Sequence, residues 1–316
     1  MPTIATFNLC NFGAGASPVR LERLGAIIAQ ELAGPDVVAV QEVMGDVATL
    51  AAGPVPGDAA YQALIAAVLH AGGPHYAFRE TPPQAQQDGG MMGANIRVGL
   101  LFNPATVLFP DRGQAGPDEA TGILYRNRQP YLTLNPGRIA PTHPAFAGAA
   151  HCHWVPSRKA LATELVVQGQ HWFVIVCHFK SMRARTRREA DYAKKQRHAQ
   201  AEIVYQFAAD LLACDPQAAI VVLGDLNDLP GSKTLKALKG ESFYSLLDDL
   251  PPGQAYTRRH GGQPQTLDHI LVSSALRRGA LVRIPHCNSN APAGQSDLAS
   301  DHDPVLATLS CAVTPE

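Results

Sequence analysis

The sequence predicts a mixed α/β (α+β) fold in a single domain covering residues 1–316. Three observations carry this. Runs of consecutive aliphatic residues, such as Ile220-Val221-Val222-Leu223, require strands buried on both faces, because a half-exposed strand alternates with polar residues. Between such runs lie stretches with apolar residues at helical spacing. No internal repeat or linker-like tract divides the chain, and 46% hydrophobic with 17% charged residues suits a substantial core.

Taken in order, Pro2 to Asn8 begins at once as a strand with no basic region or apolar signal segment, and Asn11-Phe12-Gly13 should break it. Ser17 has the character of a helix N-cap with Pro18 in the first turn, and Leu21, Leu24, Ile27, Ile28 and Leu32 keep helical spacing to the stop at Gly34-Pro35. Asp36 to Val43 is a second buried strand with Glu42 near its end. Tyr61 to Ala71 reads as a helix, Pro82 to Gly93 as a movable Gly/Pro/Gln loop, and Arg97 to Phe102 as a strand. In Tyr125 to Pro130, Arg126 and Arg128 alternate, either as a phosphate clamp or as solvated arginines beside a strand. The loop from Asn135 to Ser157 carries His143, His151, Cys152 and His153, with no second ligand pair at the spacing of a zinc finger.

Ala160 to Val167 and Trp172 to Phe179 read as a strand hairpin that ends by presenting His178. A basic lead-in and a long helix follow, from Arg183 to Leu212, with Ala193, Gln196, Ala199, Ile203, Phe207 and Leu211 as its inner face. The strand of Ile220 to Leu223 then delivers Asp225 and Asn227, whose one-residue spacing would aim a carboxylate and a carboxamide the same way in extended backbone. Thr266 to Val272 is a strand carrying Asp268, and a loop from Asn288 to Ala299 leads through Asp301 and His302 into a last strand, Val305 to Leu309.

Net charge is -1 and the pI about 6.9, so the molecule as a whole does not attract polyanions, and any basic surface must be local. One such place exists. From Lys180 to Arg197 there are eight cations against Glu189 and Asp191, directly after His178. The six cysteines form no CxxC pair and several lie in apolar runs, which points to free thiols in a reducing compartment. Cytoplasm is the expected location, or secretion if a leader was removed; no stretch is long enough to span a bilayer, and a monomer is expected.

Asn8, Glu42, His178, Asp225, Asn227, Asp268, Asp301 and His302 all sit at the ends or starts of apolar strands. Each alone has an ordinary structural explanation, but in layered sheet proteins such ends gather on one rim, where loops build a site. The pieces Phe7-Asn8, Gln41-Glu42-Val43, His178-Phe179-Lys180-Ser181, Gly224-Asp225-Leu226-Asn227, Leu267-Asp268-His269 and Ser300-Asp301-His302-Asp303-Pro304 appear in order. As an ordered set they resemble the endonuclease/exonuclease/phosphatase superfamily, the DNase I-like fold, and look most like its bacterial nuclease-type members. Cys177 stands where many relatives have asparagine.

The resemblance implies a four-layer α-β-β-α sandwich, two packed mixed sheets flanked by helices. It implies Glu42 as the main Mg²⁺ ligand (Mn²⁺ as a substitute) with Asn8 and Asp301, and Asp225 acting on the attacking water. It further implies Asn227 on a phosphate oxygen, His302 facing the phosphate with Asp268 orienting it, and His178 stabilising charge. The expected activity is divalent-metal-dependent phosphodiester hydrolysis, with nucleic acid as substrate and Arg126, Arg128, Lys180, Arg183, Arg185 and Arg187 contacting it. The alternatives are a phosphatase or phosphodiesterase for a small ester or phospholipid head group, and a non-catalytic relative that binds a phosphorylated partner. All eight site residues are present, which speaks against the last.

Overall fold

The computed structural model describes residues 1–47, 52–147, 154–251, 253–290 and 298–310. The first half contains β1 (Thr3–Phe12), α1 (Pro18–Ala26), β2 (Val37–Val43), α2 (Asp58–His70), β3 (Ala77–Arg79), β4 (Arg97–Phe102), β5 (Val107–Leu108), β6 (Ile123–Arg126), β7 (Gln129–Leu132), β8 (Gly137–Arg138) and α3 (Pro144–Ala147). The second contains β9 (Leu161–Val167), β10 (Gln170–His178), α4 (Arg187–Cys214), β11 (Ala219–Asp225), α5 (Lys233–Lys239), β12 (Phe243–Ser245), β13 (Arg258–His260), β14 (Gln263–Gln265), β15 (Asp268–Ser273), α6 (Ser274–Arg277), β16 (Leu281–Arg283) and β17 (Val305–Thr308).

Two large sheets result, one ordered β16-β17-β1-β2-β4-β3 and the other β12-β15-β11-β10-β9-β5, with β8 also paired to β9. Along β2, Val37 and Ala39 enter an apolar cluster between the sheets, while Val38 and Val40 pack in a cluster with residues of α1 and α2. Along β11, Val221 and Leu223 enter the same central cluster, and Ile220 and Val222 pack with residues of α4 and α5. Both faces of each strand are therefore dry, which is why these segments read as unbroken aliphatic runs. The architecture is the expected α-β-β-α sandwich of two mixed sheets.

Three local expectations change. The first strand does not break at Asn11; it continues to Phe12 through a bulge in which Cys10 and Asn11 take left-handed φ of 50° and 52°. The helix starting at Pro18 is capped by Ser17 as expected, but its last turn, Ile27–Glu31, is a π-helix. On α4 the buried face runs through Ala193, Gln196, Arg197, Gln200, Ala201, Val204, Ala208 and Leu211, with Ala199, Ile203 and Phe207 at its flanks. The shift has a physical cause: Arg197, Gln196 and Gln200 are braces. Arg197 bonds Asp228 and the carbonyls of Lys180 and Ser181, and Gln200 accepts the Lys180 N–H at 2.8 Å.

Candidate active site

Register brings the predicted residues together. His178 lies opposite Asp225 in the parallel β10–β11 pair, and Asp225 lies opposite Asp268 in the antiparallel β11–β15 pair. Three chemically active side chains, far apart in sequence, thus form one row at one rim. Gly224 makes the row possible. Its φ is 137°, and a Cβ there would stand 1.9 Å from the Cys177 carbonyl oxygen, so no other residue fits. On the facing sheet Glu42 is the extra residue of a bulge between Gln41 and Val43, with φ of 60°. A bulge re-aims a side chain that regular pleating would send elsewhere. The freed Glu42 carboxylate accepts the Asn11 N–H at 2.9 Å and lies 3.3 Å from Nδ2 of Asn8.

Nε2 of His178 lies 3.7 Å from the Glu42 carboxylate and 3.5 Å from that of Asp225. One ligand atom from each of these three residues falls within 4.8 Å of the others. Two carboxylate oxygens and an imidazole nitrogen are a donor set that suits a divalent cation. Burial holds His178 well below the ordinary histidine range, reinforced by the nearby Arg158, which favours the neutral ring. Burial also pushes Asp225 up to about 7, with Asp268 and Glu42 adding to the effect and His302 opposing it. Asn8 faces both carboxylates with its amide: Nδ2 donates to Asp225 at 2.9 Å while Oδ1 accepts the Cys10 N–H. It thereby offers the cluster a donor in place of the oxygen expected of a ligand.

Nδ1 of His302 lies 2.7 Å from Oδ2 of Asp268. Burial works against charge on this ring, but Asp268 overrides it, with help from Asp225 and Asp301, and raises His302 to about 10. Asp301, expected as a third metal ligand, instead forms an ion pair with Arg258. His302 and Arg258 hold its carboxyl below the ordinary range despite burial. The neighbouring Cys10 thiol is pushed up to about 12 by burial and by Asp301, so it is a protonated donor and no nucleophile. Asn227 donates from Nδ2 to Asp225 at 3.0 Å and to the Phe179 carbonyl at 3.2 Å, bracing the rim as well as lining it.

The model of the Endonuclease/Exonuclease/phosphatase family matches residues 5–302. The chain belongs to this family. Among solved structures it is similar to a truncated Caenorhabditis elegans TDP2, at 15% identity and a TM-score of 0.59, covering 98% of this chain and 96% of that one. An endonuclease/exonuclease/phosphatase from Bacteroides vulgatus matches at 18% identity and a TM-score of 0.59, covering 98% of each chain. The human Nocturnin catalytic domain with bound sulfate matches at 15% identity and a TM-score of 0.58, covering 98% of this chain and 94% of that one. These likenesses show the fold. A search of the curated proteins found no match. The family is one of phosphoric-ester hydrolases.

In this family member the rim opens into a cavity of about 860 Å³. Glu42, Asp225, Asn227, Asp301 and His302 line it, together with Lys180 and Arg183. Arg185 and Arg187 are exposed and line no described cavity; the strand ends at His178, and Arg187 already opens α4. Arg126 ends β6 and Arg128 lies in the β6–β7 turn, where Asn127 and Arg128 take φ of 51° and 64°, and both arginines are exposed outside the cavity wall. His143 accepts the Ala145 N–H at the start of α3, and the segment His151-Cys152-His153 lies outside the described residues. Cys10, Cys177, Cys214 and Cys287 are free thiols, as expected.

Sequence reasoning missed two cations. Arg158 is buried at the cavity wall, donates from Nη2 to the Phe179 carbonyl at 2.8 Å, and has no partner for Nε among the described residues. A lone arginine ahead of a strand gives no sequence signal. Arg258 reaches the cavity from the β13–β14 hairpin, whose turn is Gly261-Gly262 with φ of 55° and 80°. That signal was legible, since two glycines between short extended segments favour a two-residue hairpin. The loop from Pro82 to Gly93 supplies another wall through Gln86, Gly89 to Met92. It is anchored as well as irregular: Asp88, 2% exposed, bonds Arg138 at 3.0 Å and Lys159 at 2.8 Å.

Proposed function

We propose that this protein is a divalent-metal-dependent phosphodiesterase that cleaves nucleic acid strands by attack of water on phosphorus. The observation that carries the reading is the Glu42–His178–Asp225 group at the base of a cavity with Arg158, Lys180, Arg183 and Arg258 on its walls. A phosphodiester is anionic, so an attacking water meets repulsion unless positive charge offsets it. Glu42 and Asp225, with His178 beside them, would hold Mg²⁺ or Mn²⁺, which would supply positive charge to offset that of the phosphate.

The chain's own residues do the rest. Asp225, which lines the cavity beside Glu42, is placed to orient the attacking water. His302, kept charged by Asp268, presents positive charge at the cavity wall. Arg158 adds a guanidinium whose Nε has no hydrogen-bond partner among the described residues. Asn8 and Asn227 hold the Asp225 carboxylate in place.

The test is a panel of plasmid DNA, single-stranded DNA, RNA, a small phosphodiester and inositol phosphates, run with Mg²⁺, with Mn²⁺ and in excess chelator. Metal-dependent cleavage of DNA or RNA is expected. Turnover confined to a small ester would replace this reading with the small-ester one.

A further inference from the structure

The cavity above the metal cluster does not close at its rim. Val155, Lys180 and Arg183 line it, and the same three residues line a second basin of about 450 Å³ beside the first turns of α4. Arg188 and Tyr192 form part of that basin's wall. We propose that the two are one groove, and that the second basin is a subsite for a backbone phosphate and a base of a single-stranded polynucleotide whose scissile phosphodiester lies at Glu42–His178–Asp225. The inference rests on the nucleic-acid reading above.

Cations follow one another along this path. Arg158 and Arg258 stand in the first cavity, Lys180 and Arg183 at the junction, and Arg188 in the second basin. The junction is fixed before any ligand arrives: Gln200 holds the Lys180 N–H, and Arg197 holds the Lys180 and Ser181 carbonyls. The basin's carboxylate, Glu189, is turned back into the helix cap, where it accepts the Arg185 N–H at 2.7 Å while its own N–H bonds Thr186.

The basin also offers a ring. The Arg188 guanidinium and the Lys195 ammonium lie 5.5 and 5.6 Å from the centroid of Tyr192, and Nε of Arg188 donates to its hydroxyl at 3.2 Å. A ring flanked by cations beside a cationic groove is what a nucleobase and its phosphate require, since bases stack on aromatic faces while the backbone tracks positive charge. A small phosphate ester would fill the first cavity and never reach Arg188. Of the cations the sequence offered for contact with nucleic acid, Lys180 and Arg183 lie on this path, and Arg188 joins them.

Length dependence tests this. The full chain in excess chelator is titrated with labelled di-, tetra- and octanucleotides of DNA and of RNA, followed by fluorescence anisotropy over a range of salt. Octanucleotides should bind more tightly than dinucleotides, and whichever sugar gives the steeper dependence identifies the polymer. Arg188→Ala and Tyr192→Ala should each weaken octanucleotide binding by about tenfold. Arg188→Ala should also reduce the salt slope by about one. Both should leave dinucleotide binding within about twofold, as expected of a subsite a dinucleotide does not occupy. Tyr192→Phe, which keeps the ring, should retain octanucleotide affinity. Lys194→Ala, on the same helix but outside both cavities, should do so too.

Equal losses for short and long oligonucleotides, or a loss in Lys194→Ala matching that in Arg188→Ala, would overturn the groove. A length dependence that survives both Arg188→Ala and Tyr192→Ala would overturn the groove alone and leave the nucleic-acid reading standing. No length dependence in the parent, with DNA or with RNA, would count against the nucleic-acid reading itself.

Discussion

Oδ2 of Asp268 lies 2.7 Å from His302, and its other oxygen has no hydrogen-bond partner among the described residues. Asp268 therefore acts chiefly through that ring. His302 is raised from 6.5 to about 10 in the folded chain, so the pair contributes stability that is fully present below pH 6.5 and is lost as pH rises through about 10. Asp268→Asn should return the ring to 6.5 or below, because burial then acts with less opposition; an NMR titration of His302 reads this directly. In turnover, Asp268→Asn and His302→Ala should cost rate similarly, and the double variant should cost far less than their sum, since groups acting as one unit are not additive. Independent losses would separate the two residues. The pair was legible in the ordered motifs. Arg158 was not, because its meaning lies in its neighbours and not in its spacing.

At the scale of elements, the loop from Pro82 to Gly93 shows how a wall of the site is fixed. Burial works against charge on Asp88, but Arg138 and Lys159 more than offset that and hold its carboxyl below the usual 3.8. The contribution is therefore present above pH 3.8 and is lost as pH falls below it. Asp88→Asn leaves two buried cations without their carboxylate, a change that costs about 3 kcal/mol. Denaturant unfolding should show that deficit at neutral pH, and it should shrink in acid; a deficit that does not change with pH would show that the charge is not what anchors the loop. Composition alone gave a movable loop here, because an aspartate among glycines and prolines does not announce distant partners. Strands fared better. Segments such as Val37 to Val40 are dry on both faces and can be read directly, whereas the inner face of α4 includes Arg197 and Gln200, which an apolar pattern passes over.

Across the whole molecule, a chain of net charge -1 places Arg158, Lys180, Arg183 and Arg258 around the cavity that Glu42, Asp225 and Asp301 also line. Residues from Asn8 to His302 meet because parallel and antiparallel pairings align strand ends from both sheets at one rim. The sequence showed which residues stood at strand ends. Which oxygen or nitrogen each one turns inward depends on bulges and glycine geometry, so the expected set of Asn8, Glu42 and Asp301 differs from the Glu42, His178 and Asp225 atoms that approach one another. No described helix is long and apolar enough to cross a membrane. On the proposed function, a divalent ion held at Glu42 enables phosphodiester hydrolysis. The direct measurement is turnover of the metal-depleted protein as Mg²⁺ is added back, for the parent and for Glu42→Gln. The parent should be inactive in chelator and recover fully. Glu42→Gln should stay at least about 100-fold slower with an unchanged circular dichroism spectrum. Full activity in excess chelator, or in Glu42→Gln, would contradict the account.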